Sequence, residues 1–271
     1  MERPDTTPPR ISIVTPSFNQ GAFIEDTIRS VLEQAYPDLE YIVIDGGSTD
    51  QTLDVLKKHG NSLTWISEPD RGQAHALNKG VRLTTGEIIG YLNSDDVYEP
   101  GALLRVGQFF AAHPTASWLT GRCRTVDLDG NEIRRPITLY KNLWLKSRSR
   151  RALMILNYIS QPATFWRRDV LAKVGGFDES LVYAMDYDYW LRVGRHYRLW
   201  TLDDYLASFR VHPASKAGSS ASAQFKSDLN ILRRHADSRL IALLHAAHNA
   251  VAVAVYRVLL RRRKRDAARQ R

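Results

Sequence analysis

Asp95 and Asp96 close an otherwise apolar, strand-like run, GYLNSDDVY at residues 90–98, and two adjacent carboxylates repel unless positive charge lies between them. The chemistry such a doublet serves is oxygen ligation of a divalent cation, of use to a substrate that sheds a diphosphate and must have its departing charge neutralised. The same pair also reads as two solvated acids ahead of a helix beginning at Glu99-Pro100. A second polar cluster, DGGSTD at 45–50, offers Asp45 as a hydrogen-bond acceptor for a nucleobase or ribose, with Ser48 and Asp50 bonding locally or capping the next helix. An ordinary strand-to-helix turn accounts for it equally well. It has neither the GxGxxG spacing of a dinucleotide fingerprint nor the Gly-Lys-Ser/Thr of a phosphate-binding loop.

Strands alternating with helices must position these groups. ISIVT (11–15) is a short β-branched run, and residues 22–34 place Phe23, Ile24, Ile28, Val31 and Leu32 on one helical face. YIVID (41–45) precedes a helix that Thr49 or Asp50 can cap, LTWIS (63–67) precedes a helix from about Gln73 to Leu83, and EIIGYLN (87–93) precedes a helix over 100–112. Such alternation predicts an α/β fold with a mostly parallel central sheet flanked by helices, with ligands at the carboxyl ends of the strands. TPSFNQG, DGGSTD, SEPDRGQ and NSDD all fall at such ends, as one shared cleft requires. The second half is less regular. WLTGRCRTVDLDGNEIRR reads as two strands turning at Asp129-Gly130, residues 134–151 form a basic segment, ATFWRR another strand, and YDYWLRVG a helix starting near Asp186. HPASKAGSSASA (212–223) is a loop by composition, followed by a helix to about His235.

With 271 residues and 44% hydrophobic content the chain can bury one sizeable core. Its single cysteine, Cys123, and the lack of an N-terminal secretion pattern set a reducing cytoplasm as the expectation. The net charge of +9 is concentrated: Arg257–Arg271 supplies +7 of it, so the body is nearly neutral. A terminal basic cluster after an apolar segment suits an anionic membrane surface. No zinc-finger spacing or RNA-binding aromatic signature accompanies it, so nucleic acid is not an expected partner.

Taken in order, VTPSFNQ, IEDTIRSVLEQ, YIVIDGGSTDQT, SEPDRGQAHALNKG, GEIIGYLNSDDVYEPGAL, GGFDESLVYAMDYDYWLRV and FRVHPASK resemble the family 2 glycosyltransferases over roughly residues 10–216. The resemblance implies a GT-A (Rossmann-like) fold and inverting, non-processive transfer of a sugar from a nucleotide-diphosphate sugar, a UDP-sugar first and a GDP- or dTDP-sugar otherwise. It implies a divalent metal cofactor, Mn²⁺ or Mg²⁺. By position, Thr15, Pro16, Ser17 and Asn19 match the loop that cradles the base. Asp45, with Ser48 beside it, matches the acid reading base or ribose, and Arg71 the basic residue near the donor. Asn93, Ser94, Asp95 and Asp96 fall on the acid motif; Asp95 and Asp96 are its metal ligands, Asn93 stands where many relatives have an Asp, and His212 matches a histidine that completes the metal site in some relatives. Asp186 matches the catalytic base, which in inverting transfer takes the proton of the attacking hydroxyl. A helix N-terminus favours its ionised form, and Met185 replaces the acid that precedes it in relatives. Asp188 is expected to be structural.

The acceptor implied is a glycan or lipid-linked glycan hydroxyl in cell-surface polysaccharide biosynthesis, meeting residues 150–165 and Trp166 or Trp190, although both tryptophans also read as core. An inactive sugar-nucleotide-binding or scaffold subunit of a membrane glycan-assembly complex is the alternative. The expected organisation is a disordered 1–10, a transferase domain over 11–215 (nucleotide-sugar half 11–100, acceptor half 101–215) and a helical tail over 216–271; a homo-oligomer is compatible with it. Within residues 239–260, His245, Asn249, Ala252 and Tyr256 form a polar stripe with His248 beside it. That stripe predicts a helix lying in a membrane interface with Arg257–Arg265 on headgroups, peripheral to the inner face, or one packed on the protein's own body.

Overall fold

The computed structural model describes residues 8–213, 215, 221–236 and 238–269. Residues 1–7 of the expected disordered terminus and 216–220 of the expected loop lie outside the described residues, as do the side chains of 255–269, including those of Arg257–Arg265 and Tyr256. The first half follows the expected alternation: β1 (Ile11–Ser17), α1 (Ile24–Leu32), β2 (Leu39–Asp45), α2 (Thr52–His59), β3 (Thr64–Ser67), α3 (Gln73–Leu83) and β4 (Ile88–Tyr91). β1 lies parallel between β2 and β4, and β3 extends the sheet beyond β2. All seven residues of β1 are buried, as in a strand covered on both faces, and its buried polar residues are small: Ser12, Thr15 and Ser17. α1 buries Ile24, Ile28 and Val31 as one stripe. α3 runs so close to the sheet that a Cβ at Gly80 would lie 2.4 Å from a Val14 methyl, which explains a glycine within this helix.

The second half comprises β5 (Val97–Tyr98), α4 (Ala102–Ala112), β6 (Trp118–Val126), α5 (Arg135–Leu145), α6 (Arg150–Ile155), a 3-10 turn at Gln161–Ala163, β7 (Thr164–Arg167), α7 (Asp169–Val174), α8 (Met185–Val193), β8 (Trp200–Arg210), α9 (Ala221–His235) and α10 (Arg239–Arg269). The sheet order is β3-β2-β1-β4-β7-β6-β8-β5. β7 runs antiparallel to β4 and β6, β6 pairs in parallel with β8, and β5 pairs antiparallel with β8. β4 and β5 are thus neighbours in sequence but four places apart in the sheet. The residues between them make a turn, with Asp96 N donating to Asn93 O at 3.1 Å. That turn does not extend across a flat sheet, so the sheet curls to bring β8 and β5 over the end of β4, a mixed α/β architecture of the GT-A kind.

Several expectations change here. The hairpin expected at Asp129-Gly130 keeps its turn, but its second strand is reduced to one bridge, Val126 with Glu132, before the chain enters α5. The long partner of β6 is instead β8. Trp166 and Trp190 are fully buried, 5.6 Å apart between ring centres, so they belong to the core and do not stack on a sugar. Asp50 is not itself the cap of α2, yet its Oδ1 accepts from Thr52 N at 3.0 Å just ahead of it.

The polar stripe of α10 turns toward the protein. His245 is 1% exposed; its Nδ1 donates to Met154 O at 2.9 Å, and its Nε2 accepts from Asn249 Nδ2 at 2.8 Å. Both ring nitrogens are used as in neutral imidazole, and burial pushes its pKa down. Leu240, Leu243, Leu244 and Val251 stand exposed on the same helix, Leu243 at 67%. Among the described residues no helix is long and apolar enough to cross a membrane.

Candidate active site

The curl of the sheet decides what meets the acid doublet. β8 ends at Arg210, whose backbone N donates to Asp96 Oδ1 at 2.9 Å, while Asn93 Nδ2 donates to Asp96 Oδ2 at 3.2 Å. Asp96 is fully buried, and burial, then the neighbouring Asp95 charge, push its pKa well above the carboxylate range. The two acids are held differently: the oxygens of Asp96 accept protein donors that brace the loop against β8. Asp95 faces the other way. Its Oδ2 lies 3.1 Å from His212 Nε2, and the imidazole sits over the Phe23 ring with centroids 4.3 Å apart. The histidine expected from 117 positions downstream is thus delivered to Asp95 by β8. A carboxylate oxygen and an imidazole nitrogen that converge would suit a divalent cation. Among the described residues no group of three or more His, Cys, Asp or Glu stands in a ligating arrangement.

Asn93 is held on three sides. Its Oδ1 accepts from Gln73 Nε2 at 2.6 Å, and its Nδ2 reaches both Asp96 and Gln161 Oε1, the latter at 3.0 Å. Gln161 in turn donates to Tyr91 O at 2.6 Å. Asn93 and the buried Ser94 shape the loop, leaving Asp95 as its outward-facing acid.

The loops after β1 and β2 are knitted together. Asp45 is fully buried and accepts from Gly47 N (3.1 Å), Ser48 N (2.9 Å), Ser48 Oγ (2.5 Å) and Ser67 Oγ (2.6 Å). This carboxylate is bonded on both oxygens by its own turn and by Ser67, and it holds β3 to β2. Thr15 is likewise buried, its hydroxyl 3.1 Å from that of Tyr41, and Pro16 and Ser17 are buried strand residues. What faces outward is Asn19, whose N donates to Ser48 Oγ at 2.7 Å and whose Oδ1 accepts from Thr49 N at 2.9 Å, with Phe18 exposed beside it. Asn19 adopts φ of 51°, a left-handed conformation that asparagine tolerates better than most residues. Gly46 follows Asp45, and a Cβ there would lie 2.7 Å from Asp70 Oδ2. Asp70, which sequence reasoning passed over, therefore occupies the space at this turn that a side chain at 46 would fill. Arg71 Nη2 bonds Glu179 Oε2 at 2.5 Å, and Glu179 Oε1 accepts from Asn78 Nδ2 at 3.0 Å, tying the third loop to GGFDES.

Asp186 sits half-buried in the first turn of α8. Tyr91, at the end of β4, has its pKa raised well above the phenol range by burial, then by the charges of Asp186 and Asp96. Both acids therefore act on the same buried phenol, which places the expected base close behind the acid loop. Asp188 is structural as expected: it accepts from Arg192 Nε at 2.8 Å and His235 Nε2 at 2.8 Å, fastening α9 to α8. In front of Asp186 opens a cavity of about 660 Å³ between α5, α9, α10 and the ends of β6 and β8. Gln161 lines it too, so cavity and acid loop share a wall. Two ionisable groups missed from the sequence line it as well. Asp228 of α9 is buried with its pKa pushed up to about 7, by burial and then by Asp186, while Lys141 of α5 opposes that rise. No signal in one sequence connects positions 141, 186 and 228; only the packing of α5, α8 and α9 does.

Comparison with known proteins agrees with this fold. The family model for glycosyl transferase family 2 matches residues 12–175. The chain is 32% identical over 190 residues to the chondroitin synthase of Escherichia coli, a match that covers 68% of this chain and 26% of that enzyme. Among solved structures it resembles the mannosyltransferase PcManGT from Pyrobaculum calidifontis in complex with GDP-Man and Mn²⁺ (22% identity, TM-score 0.67, 95% of this chain and 79% of that one). It also resembles S. aureus TarS 1–349 in complex with UDP (19% identity, TM-score 0.60, 88% and 68%).

Proposed function

The chain belongs to glycosyl transferase family 2, and within that family we propose that it is an inverting, metal-dependent transferase acting on a hydroxyl of a glycan or lipid-linked glycan in cell-surface polysaccharide assembly. The observation that carries this reading is the position of Asp186, which borders an acceptor-sized cavity sharing Gln161 with the loop of Asp95. The donor is a nucleotide-diphosphate sugar, a UDP-sugar first and a GDP- or dTDP-sugar otherwise; the likeness to structures holding UDP and GDP-Man supports that class.

Asn19 and Ser48 line the nucleotide side of the cleft, with the Arg71–Glu179 pair at its rim. Asp95 and His212 would hold Mn²⁺ or Mg²⁺, an ion that would supply charge neutralisation for a departing diphosphate. Asp186 accepts the proton of the attacking hydroxyl as that oxygen bonds the anomeric carbon from the face opposite the diphosphate, a single displacement that needs one carboxylate. Asp96 holds Asp95 in register by bonding β8. A position at the inner face of a membrane, peripheral to it, is supported by the basic C-terminal sequence and the exposed leucines of α10.

The test is thermal stabilisation by UDP-, GDP- and dTDP-sugars with and without Mn²⁺ or Mg²⁺. One nucleotide class should raise the Tm only with metal, by the amount that ligand-to-Kd ratio dictates. Equal stabilisation in excess EDTA, or none by any nucleotide sugar, would contradict the reading.

A further inference from the structure

The cavity in front of Asp186 carries charges that proton abstraction does not use. Asp228 is 6% exposed, lines the cavity, and its Oδ1 has no hydrogen-bond partner. An unpaired buried carboxylate oxygen is costly and is normally satisfied. Lys141 Nζ donates to Ser160 Oγ at 3.1 Å on the same wall, and Asp186 and Asp228 both act on it electrostatically. Around this polar trio the walls are largely apolar: Ile137, Tyr140, Leu156, Ile159, Phe209 and Phe225. The lip runs between α5 and α10, whose outward residues Leu139, Leu143, Leu243 and Val251 are exposed.

We propose that this cavity is the acceptor pocket and that it takes an amphiphile: a hydroxylated ring held by Asp228 and Lys141 beside Asp186, with an apolar chain leaving between α5 and α10. The proposal rests on Asp186 being the base and adds the residues and the acceptor class. Asp228 accepts a hydrogen bond from a ring hydroxyl next to the one attacked, satisfying its orphan oxygen; Lys141 donates to another ring oxygen. A free sugar fills only the polar part of such a pocket, and an alkyl ether without a ring only the apolar part.

Octyl β-D-glucoside below its micellar range is the probe, compared by saturation-transfer NMR and calorimetry with methyl β-D-glucoside and with octyl tetraoxyethylene ether. Wild-type protein should bind the octyl glucoside at least tenfold more tightly than either comparator. Asp228→Leu should weaken that binding about tenfold, and Ala252→Trp, which places a ring in the cavity from α10, should abolish it. Circular dichroism of each variant reports folding, and binding of UDP, GDP or dTDP with Mn²⁺ reports the donor reading: absence of binding by all three in wild-type protein would sink the donor assignment without touching the pocket. Failure of wild-type protein to bind octyl glucoside, equal binding of the methyl glucoside, or full binding by the folded Ala252→Trp variant would each overturn the proposal.

Discussion

Asp95 and Asp96 are adjacent in sequence and held by different partners. Asp96→Ala removes the acceptor of Arg210 N and Asn93 Nδ2 in a buried site, a loss of about 1–3 kcal/mol that calorimetry would read as a lower Tm. His212→Ala leaves that brace intact and should weaken Mn²⁺ binding in the presence of UDP about tenfold or more, as titration calorimetry would record, while loss of the buried ring packed on Phe23 lowers the Tm. Asp228 makes a third residue-level case. Its folded pKa, about 7, is raised above its unfolded value, so between roughly pH 4 and pH 7 the folded state holds a proton that the unfolded state has lost. Stability contributed by this group is complete below that window and declines as pH rises through it, by up to about 4 kcal/mol for a shift of this size. Asp228→Asn should flatten the decline, and denaturant melts at pH 5 and pH 8 would show whether it does. Asp45 illustrates what residue type alone hides: an acid at a strand end was legible, but that its own turn saturates it was not, because hydrogen-bond partners at 47, 48 and 67 are set by backbone geometry.

At the level of elements, the four βα units were readable because each strand is a short apolar run and each helix carries its stripe at the right spacing. α3 came out with the bounds the pattern predicts, and Gly80 within it marks the close crossing over β1. Gly80→Ala should therefore destabilise by about 1–3 kcal/mol through overpacking against Val14, despite alanine's better helix propensity, measurable as a shift in urea midpoint at constant slope. The second half was less readable because its elements are defined by partners far away in the chain. β8 is an eleven-residue strand with exposed Asp203 and Asp204 in its middle, so its pattern is broken. β5 has two residues and exists only because the sheet curls to meet it. The same curl delivers His212 to Asp95, which is why that pair was reached by resemblance and not by spacing.

For the whole molecule, α9 and α10 wrap the second half of the fold and roof the cavity, α10 turning its polar stripe inward and leaving leucines outward. Charge clustered at the end of α10 and this apolar outer face together predict binding to vesicles containing anionic lipid, falling steeply as salt rises. Leu243→Glu combined with Leu240→Glu should reduce the bound fraction severalfold in a sedimentation assay, whereas unchanged binding would place the contact elsewhere. The central claim is that one carboxylate, Asp186, unmasks the acceptor oxygen while separate residues hold the donor. It is tested most directly by comparing Asp186→Asn with wild-type protein for transfer and for metal-dependent binding of the same nucleotide sugar. The account predicts a fall in turnover of about 10²-fold or more with donor affinity unchanged; turnover near the wild-type rate, or loss of donor binding in step with turnover, would contradict it.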